Sequence, residues 1–311
     1  MLSFKSGRPI AIIKGGKYNG KIVYVQNLYD NDGNTNTGDD FDDDEPFDYT
    51  TLLSHPVFQR MKKRQRMKEY DRIYRILNGD VRPRKDDELL REVLKIKNNK
   101  MLKDIKLGRK GKMVPIPNPD RESTNYYTAG ANGSGKSYNM GDWMRQYKKL
   151  FPKNKIYLFK RNSRPDPAFK GIKFVEMDHE ELVEDPLELE DLENCLLVFD
   201  DTARIRDKRV RELMNDLMLD ALENGRKLHC SVACSNHLVA DNKNTKIQLY
   251  ESDILVVFPG SANAQISYVA KKYVGMDAKA IQKMLHLKSR WVLISKSYPQ
   301  YVMYVKGVYI L

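Results

Sequence analysis

The most specific chemistry in the chain is carried by eight consecutive residues, Gly130-Ala131-Asn132-Gly133-Ser134-Gly135-Lys136-Ser137. Glycines at this spacing let the backbone turn tightly enough for its N–H groups to wrap the phosphates of a nucleotide. Lys136 then reaches the β- and γ-phosphates, the Ser137 hydroxyl ligates Mg²⁺, and Tyr138 completes the nucleotide-contacting stretch. A phosphate-bound Mg²⁺ also needs a carboxylate at the end of a buried strand. The run CLLVFDD at 195–201 supplies two. Asp200 is expected to hold Mg²⁺ through its water shell, and Asp201 to orient and deprotonate an attacking water. The chemistry that follows is hydrolysis of a nucleoside triphosphate.

Such a loop works only between a strand and a helix, where the helix dipole adds to its positive field. Residues 126–128 read as the strand, and YNMGDWMRQYKKLF as a helix ending before Pro152. The apolar run before Asp200 is of the kind buried on both faces of a parallel sheet. Residues 155–161, 173–177, 228–235 and 252–258 predict further strands, residues 210–226 a helix stopping at Gly225, and two helices follow residue 258. A hairpin turning near Tyr298-Pro299-Gln300 closes the chain. If strand 228–235 inserts between the loop strand and the acid strand, Asn236 becomes a candidate γ-phosphate sensor. Segment 176–193 holds ten acids and reads as a solvated helix and loop.

The chain has 311 residues and a formal charge of +12, from 54 Lys plus Arg and 42 Asp plus Glu. That surplus is not spread evenly. Residues 1–28 carry +5, residues 29–48 carry −9, residues 49–113 carry +12 and residues 114–311 carry +4. The acidic stretch is rich in Asp, Asn and Gly and predicts a flexible loop. In the basic stretch, Phe58, Met61, Met67, Tyr70, Ile73, Tyr74 and Leu77 form one helical face, with Lys and Arg mainly on the others. A second helix is expected at 86–98 and a basic linker after it. Clustered cations of this kind suit phosphate-backbone contact, since binding releases condensed counterions. Residues 9–27 alternate in strand fashion around hairpin signals and resemble the KOW-type segment of small SH3-like barrels.

Three cysteines, Cys195, Cys230 and Cys234, lie in apolar runs, and an odd count argues for buried thiols in a reducing compartment. No apolar run approaches the length of a membrane span, and the first residues lack a secretory pattern. The expectation is a non-secreted protein.

The order phosphate loop, strand ending in Asp-Asp, helix, Gly-Arg, apolar strand ending in a polar residue resembles the FtsK/HerA superfamily. Within it, the pattern is most similar to the genome-packaging ATPases of large double-stranded DNA viruses. GANGSGKS at 130–137, LLVFDD at 196–201 and NGRKLHCSVACSNH at 224–237 carry the likeness. Lys227 stands where the family usually has His, and Asn236 where Gln is frequent. The resemblance implies an α/β fold with a RecA-like core and a mainly parallel sheet. It implies ATP and Mg²⁺ as cofactors, double-stranded DNA as substrate, a homo-oligomeric ring and a capsid or portal-vertex partner, in the host cytoplasm, a viral factory or the virion. It also implies an arginine acting on a neighbour's site, for which Arg226 matches the Gly-Arg position; Arg204, Arg206, Arg209 and Arg211 are alternatives.

The expected organisation is a small β segment at 1–28, an acidic loop at 29–48, a basic helical arm at 49–113 and the ATPase domain at 114–311. The function these expectations support is a DNA-translocating packaging motor. Competing readings are a non-motor ATP-dependent DNA-binding or partitioning protein, and an assembly ATPase of the filamentous-phage type.

Overall fold

The computed structural model describes residues 1–26, 58, 60–77, 89, 103–119, 121, 123–161, 164–241, 245–260 and 262–311. They fall into two compact units, 1–27 with 104–311, and 28–103. The acidic loop at 29–48 and nearly all of the helix expected at 86–98 lie outside the described residues.

In the first unit, β1 (Leu2–Ser3), β2 (Arg8–Lys14) and β3 (Ile22–Val25) begin a small antiparallel sheet. The β2–β3 turn carries Gly15 at φ 75°, and its N–H donates to Asn19 Oδ1 at 2.6 Å. In the second unit, α1 (Lys63–Leu77) is the basic helix. Its inward stripe is not the expected one. Ile73 is buried, with Arg66, Glu69, Tyr70 and Ile76 half-buried or nearly so, while Met67 and Tyr74 are 57% and 41% exposed. The stripe keeps Tyr70 and Ile73 of the expected face but is shifted toward Arg66, Glu69 and Ile76, and it admits Arg66 and Glu69 because each has a polar partner. Arg66 Nη2 donates to the Met61 carbonyl at 3.2 Å, and Glu69 pairs with Arg72 at 2.7 Å.

The chain re-enters the first unit through β4 (Asp104–Lys106) and β5 (Lys112–Pro115), and β5 pairs with β2. Residues 104–106 and 112–113, assigned by their charge to the arm, are therefore strand. Residues 1–27 share a unit with the core and do not stand apart from it. Net charge does not register backbone pairing, and the apolar Ile105, Met113 and Val114 that are buried here lie among lysines in the sequence.

Next come β6 (Tyr126–Ala129), α2 (Lys136–Leu150), β7 (Lys155–Lys160), β8 (Val175–Glu176), α3 (His179–Glu184), β9 (Cys195–Asp200), α4 (Lys208–Asn224) and β10 (Ser231–Asn236). After these, α5 (Lys246–Glu251), β11 (Ile254–Val257), α6 (Asn263–Val269), a π-helical turn (Ala270–Val274) and α7 (Ala278–Leu285) lead to β12 (Val292–Ser295), β13 (Tyr301–Tyr304) and β14 (Gly307–Ile310). They build a ten-stranded sheet in the order β4-β14-β13-β12-β11-β6-β10-β9-β7-β8. The six strands from β11 to β8 are parallel, and β12, β13, β14 and β4 extend the sheet antiparallel. The chain therefore closes with two hairpins; the second turn, before Gly307, was not expected.

Alternation along β9 divides the core. Leu196 and Val198 face α2, where Trp143, Met144 and Tyr147 are buried, and Tyr126 stacks on Trp143 at 4.5 Å. Leu197 and Phe199 face Met214, Met218 and Ala221 of α4. The decisive feature is that β10 lies between β6 and β9, the RecA-like order expected from the sequence. It brings the C-terminal ends of the loop strand and the acid strand to one edge. All three cysteines are buried free thiols.

Candidate active site

The phosphate loop leaves β6 at Gly130. A Cβ there would stand 2.8 Å from Phe258 Cδ2 and 3.0 Å from Ser134 Oγ, so the turn closes only around glycine. Gly135, at φ 106°, caps α2 in the left-handed region. The Gly130 N–H donates to the Asn236 carbonyl at 3.1 Å, and Ser134 N–H to the Ala131 carbonyl at 3.1 Å. Lys136 is buried, and its Nζ donates to the Gly130 carbonyl at 2.9 Å and the Ala131 carbonyl at 3.4 Å. Ala131, Asn132, Gly133 and Tyr138 are exposed, and Ser137 is half-buried in the first turn of α2.

Across the edge, Ser235 faces Asp200 in the β10–β9 register. Its Oγ donates to Asp200 Oδ1 at 2.7 Å and accepts from the Asp201 N–H at 3.0 Å. Asp201 has φ 53°, an uncommon conformation for a side-chain-bearing residue, and the Ser235 bond helps to hold it there. His237 Nε2 lies 3.1 Å from Asp201 Oδ2. Burial raises the Asp200 carboxyl pKa to about 6, countered by the Ser235 hydrogen bond, reinforced by the charges of Asp201 and Asp166, and opposed again by Lys136.

The edge thus gathers the loop, Lys136, Asp200, Asp201 and the Asn236 backbone. The Asn236 side chain is differently engaged: its Nδ2 donates to the buried Gln248 Oε1 at 2.5 Å. Arg226 lies elsewhere. It sits, exposed, in the 3-10 turn Gly225–Leu228 before β10 begins, at the opposite end of that strand from Asn236. Six residues of strand span about 20 Å, so Arg226 does not meet the loop of its own chain.

Two residues join the site without having been anticipated. Ser235 is one of three polar residues of β10, with Ser231 and Asn236, and nothing in the sequence sets it apart from them. Arg290, just before β12, donates from Nε to the Ser134 carbonyl at 2.7 Å and from Nη2 to the Gly133 carbonyl at 2.9 Å. No local pattern marks it.

The site fits a nucleotide with Mg²⁺. The loop cradle around Gly130 has no room for a Cβ, Ser134 Oγ is buried without a partner, and Asp200 is a buried carboxylate whose charge lacks an adjacent ion pair among the described residues. Ser137 and Asp200 are the residues that could hold the metal.

In sequence, 199 residues of the chain are 36% identical to the Sputnik virophage protein given as "Uncharacterized protein V3", covering 63% of this chain and 80% of that one. The chain belongs to the family of that virophage protein. No protein-family model matches it. Among solved structures, the genome packaging NTPase B204 of Sulfolobus turreted icosahedral virus 2, in complex with ATP-gammaS, is similar over 60% of this chain and 97% of that one, with a TM-score of 0.42 and 17% identity. The pCW3 conjugation coupling protein TcpA is similar over 67% and 66%, with a TM-score of 0.42 and 10% identity. The likeness to FtsK/HerA-type ATPases holds in this chain's own strand order and in both of its nucleotide motifs. Among the described residues, no helix is long and apolar enough to cross a membrane.

Proposed function

We propose that the chain is an ATP-hydrolysing motor that translocates double-stranded viral DNA into a capsid as a homo-oligomeric ring. The observation that carries the reading is the Ser235 bridge. One hydroxyl ties both acids of the β9 end to the strand that flanks the phosphate loop. Membership in a virophage protein's family supports the viral setting, in a factory, the host cytoplasm or the virion.

In this reading Lys136 exchanges its loop carbonyls for the β- and γ-phosphates, and the loop N–H groups hold the rest of the chain of phosphates. Asp201, aligned by Ser235 and His237, orients the attacking water and takes its proton. Ser137 and Asp200 would hold Mg²⁺, which would neutralise charge on the phosphates when bound. The Asn236 carbonyl braces the loop, and its amide, linked to Gln248, senses the γ-phosphate. Arg226, remote from its own loop, acts on a neighbour's. The exposed Lys62, Lys63, Arg64 and Lys68 around α1 provide the phosphate-backbone contact, and a capsid or portal-vertex protein is the docking partner.

The test is ATPase turnover with and without duplex DNA. A motor gives several-fold stimulation. Nucleotide binding with no stimulation would favour a switch that binds DNA without moving it.

A further inference from the structure

The near-neutral core conceals two lobes of opposite sign. Residues 176–193 hold ten acids and no Lys or Arg, and all ten acids are exposed. Residues 262–300 hold seven Lys or Arg and one acid. Of those seven bases, only Lys296 is not exposed. The acidic lobe runs from β8 through α3 to β9; the basic lobe covers α6, the π turn, α7 and the approach to β12. Both belong to the helical layer on the α4 face of the sheet, since Leu182 of α3 and Ile266 and Met284 of α6 and α7 share its core. In the sheet, β8 is an edge and β12 lies beyond the phosphate-loop strand, six strand steps away. That is about 30 Å.

Each lobe repels its own kind and attracts the other. From this complementarity we infer that the acidic lobe of one copy docks on the basic lobe of the next, head to tail. A two-fold dimer would need both lobes within one interface, and their separation disfavours that; a head-to-tail contact uses one lobe from each copy and continues. The basic lobe also has the make-up of a contact surface. Tyr250 and Tyr268 are 50% and 40% exposed and pack edge-on against Tyr273, and Lys272 lies over the rings of Tyr268 and Tyr273. The inference deepens the ring of the motor reading and rests on it only for closure of the assembly.

The test is sedimentation velocity of the full-length chain with a non-hydrolysable ATP analogue, at about 0.05 M and about 0.5 M salt. The unsubstituted chain is expected to form species larger than a dimer at low salt and to dissociate at high salt. Two charge-swapped forms, E184K/E190K/E193K and K271E/K279E/K288E, each lose association by about tenfold or more when alone. Mixed in equal amounts they regain one contact, because the unaltered acidic lobe of the second form meets the unaltered basic lobe of the first and the mixed pair stops there; recovery in the mixture also shows that both forms are folded. Association that ignores both swaps, stops at a dimer in the unsubstituted chain, or gives no mixed pair overturns the inference. So does a basic-lobe swap that weakens duplex DNA binding and leaves association unchanged, since that assigns the lobe to DNA. A fluorescent ATP analogue is titrated into the same samples. Lobe-dependent assembly without nucleotide binding refutes the motor and leaves the lobes standing; nucleotide binding with assembly indifferent to the swaps refutes the lobes.

Discussion

Arg290 reaches across 156 residues of sequence to hold Ser134, its Nε donating to the Ser134 carbonyl at 2.7 Å while Nη2 takes the carbonyl of Gly133. With those carbonyls turned toward the guanidinium, the neighbouring N–H groups are left for the phosphates. Arg290→Ala is expected to weaken ATP-analogue binding about tenfold, or roughly 1.4 kcal/mol, with little change in thermal stability because the side chain is exposed. Arg290→Lys restores little, since an ammonium cannot reproduce the two-pronged geometry. Isothermal titration of both variants checks this.

Lys136→Ala is expected to lower ATP turnover by about 10³ or more while leaving the far-ultraviolet circular dichroism spectrum intact. Normal turnover in this variant would remove the phosphate loop from the mechanism.

Ser235→Ala takes the donor from Asp200 and leaves the half-buried Asp201 N–H without its acceptor. A stability loss of about 1–3 kcal/mol is expected, together with a fall in kcat larger than any rise in KM. Asp201→Asn, in contrast, should bind nucleotide and fail to turn it over. Chemical denaturation and steady-state kinetics separate the two effects.

Gly130→Ala places a methyl group 2.8 Å from Phe258 Cδ2. Overpacking of this kind costs about 1–3 kcal/mol, and Phe258→Leu in the same chain should recover part of it. A double-mutant cycle in thermal unfolding reads the coupling, which vanishes if the two residues do not meet.

Neutralising Lys62, Lys63, Arg64 and Lys68 to Ala is expected to reduce the salt dependence of duplex DNA binding by a log–log slope of about 3 to 4. ATP-analogue affinity should not change. An unaltered slope would move DNA contact away from α1.

The nucleotide motifs were legible because each is contiguous: the turn of Gly130, the cap at Gly135 and the strand before Asp200 are written in adjacent residues. The position of β10 was legible only as a condition, and it held. Arg290 and Ser235 were not legible in their roles, because their partners lie 156 and 35 residues away and nothing local announces the pairing. The unit boundary failed for a related reason. Charge assigned residues 104–113 to the arm, whereas backbone pairing with β14 and β2 assigns them to the core. On α1, the apolar count favoured Met67 and Tyr74, but ion pairing and a backbone acceptor let Arg66 and Glu69 take the inner stripe.

Because residues 28–103 leave the first unit after β3 and return to it at β4, they are fastened at both ends. A segment closed at both ends explores far less volume than a tail of equal length attached at one. Cutting the chain once within 28–103 would divide the small sheet between two polypeptides, β1 to β3 on one and β5 on the other, so that the β2–β5 pairing would have to hold the two pieces together.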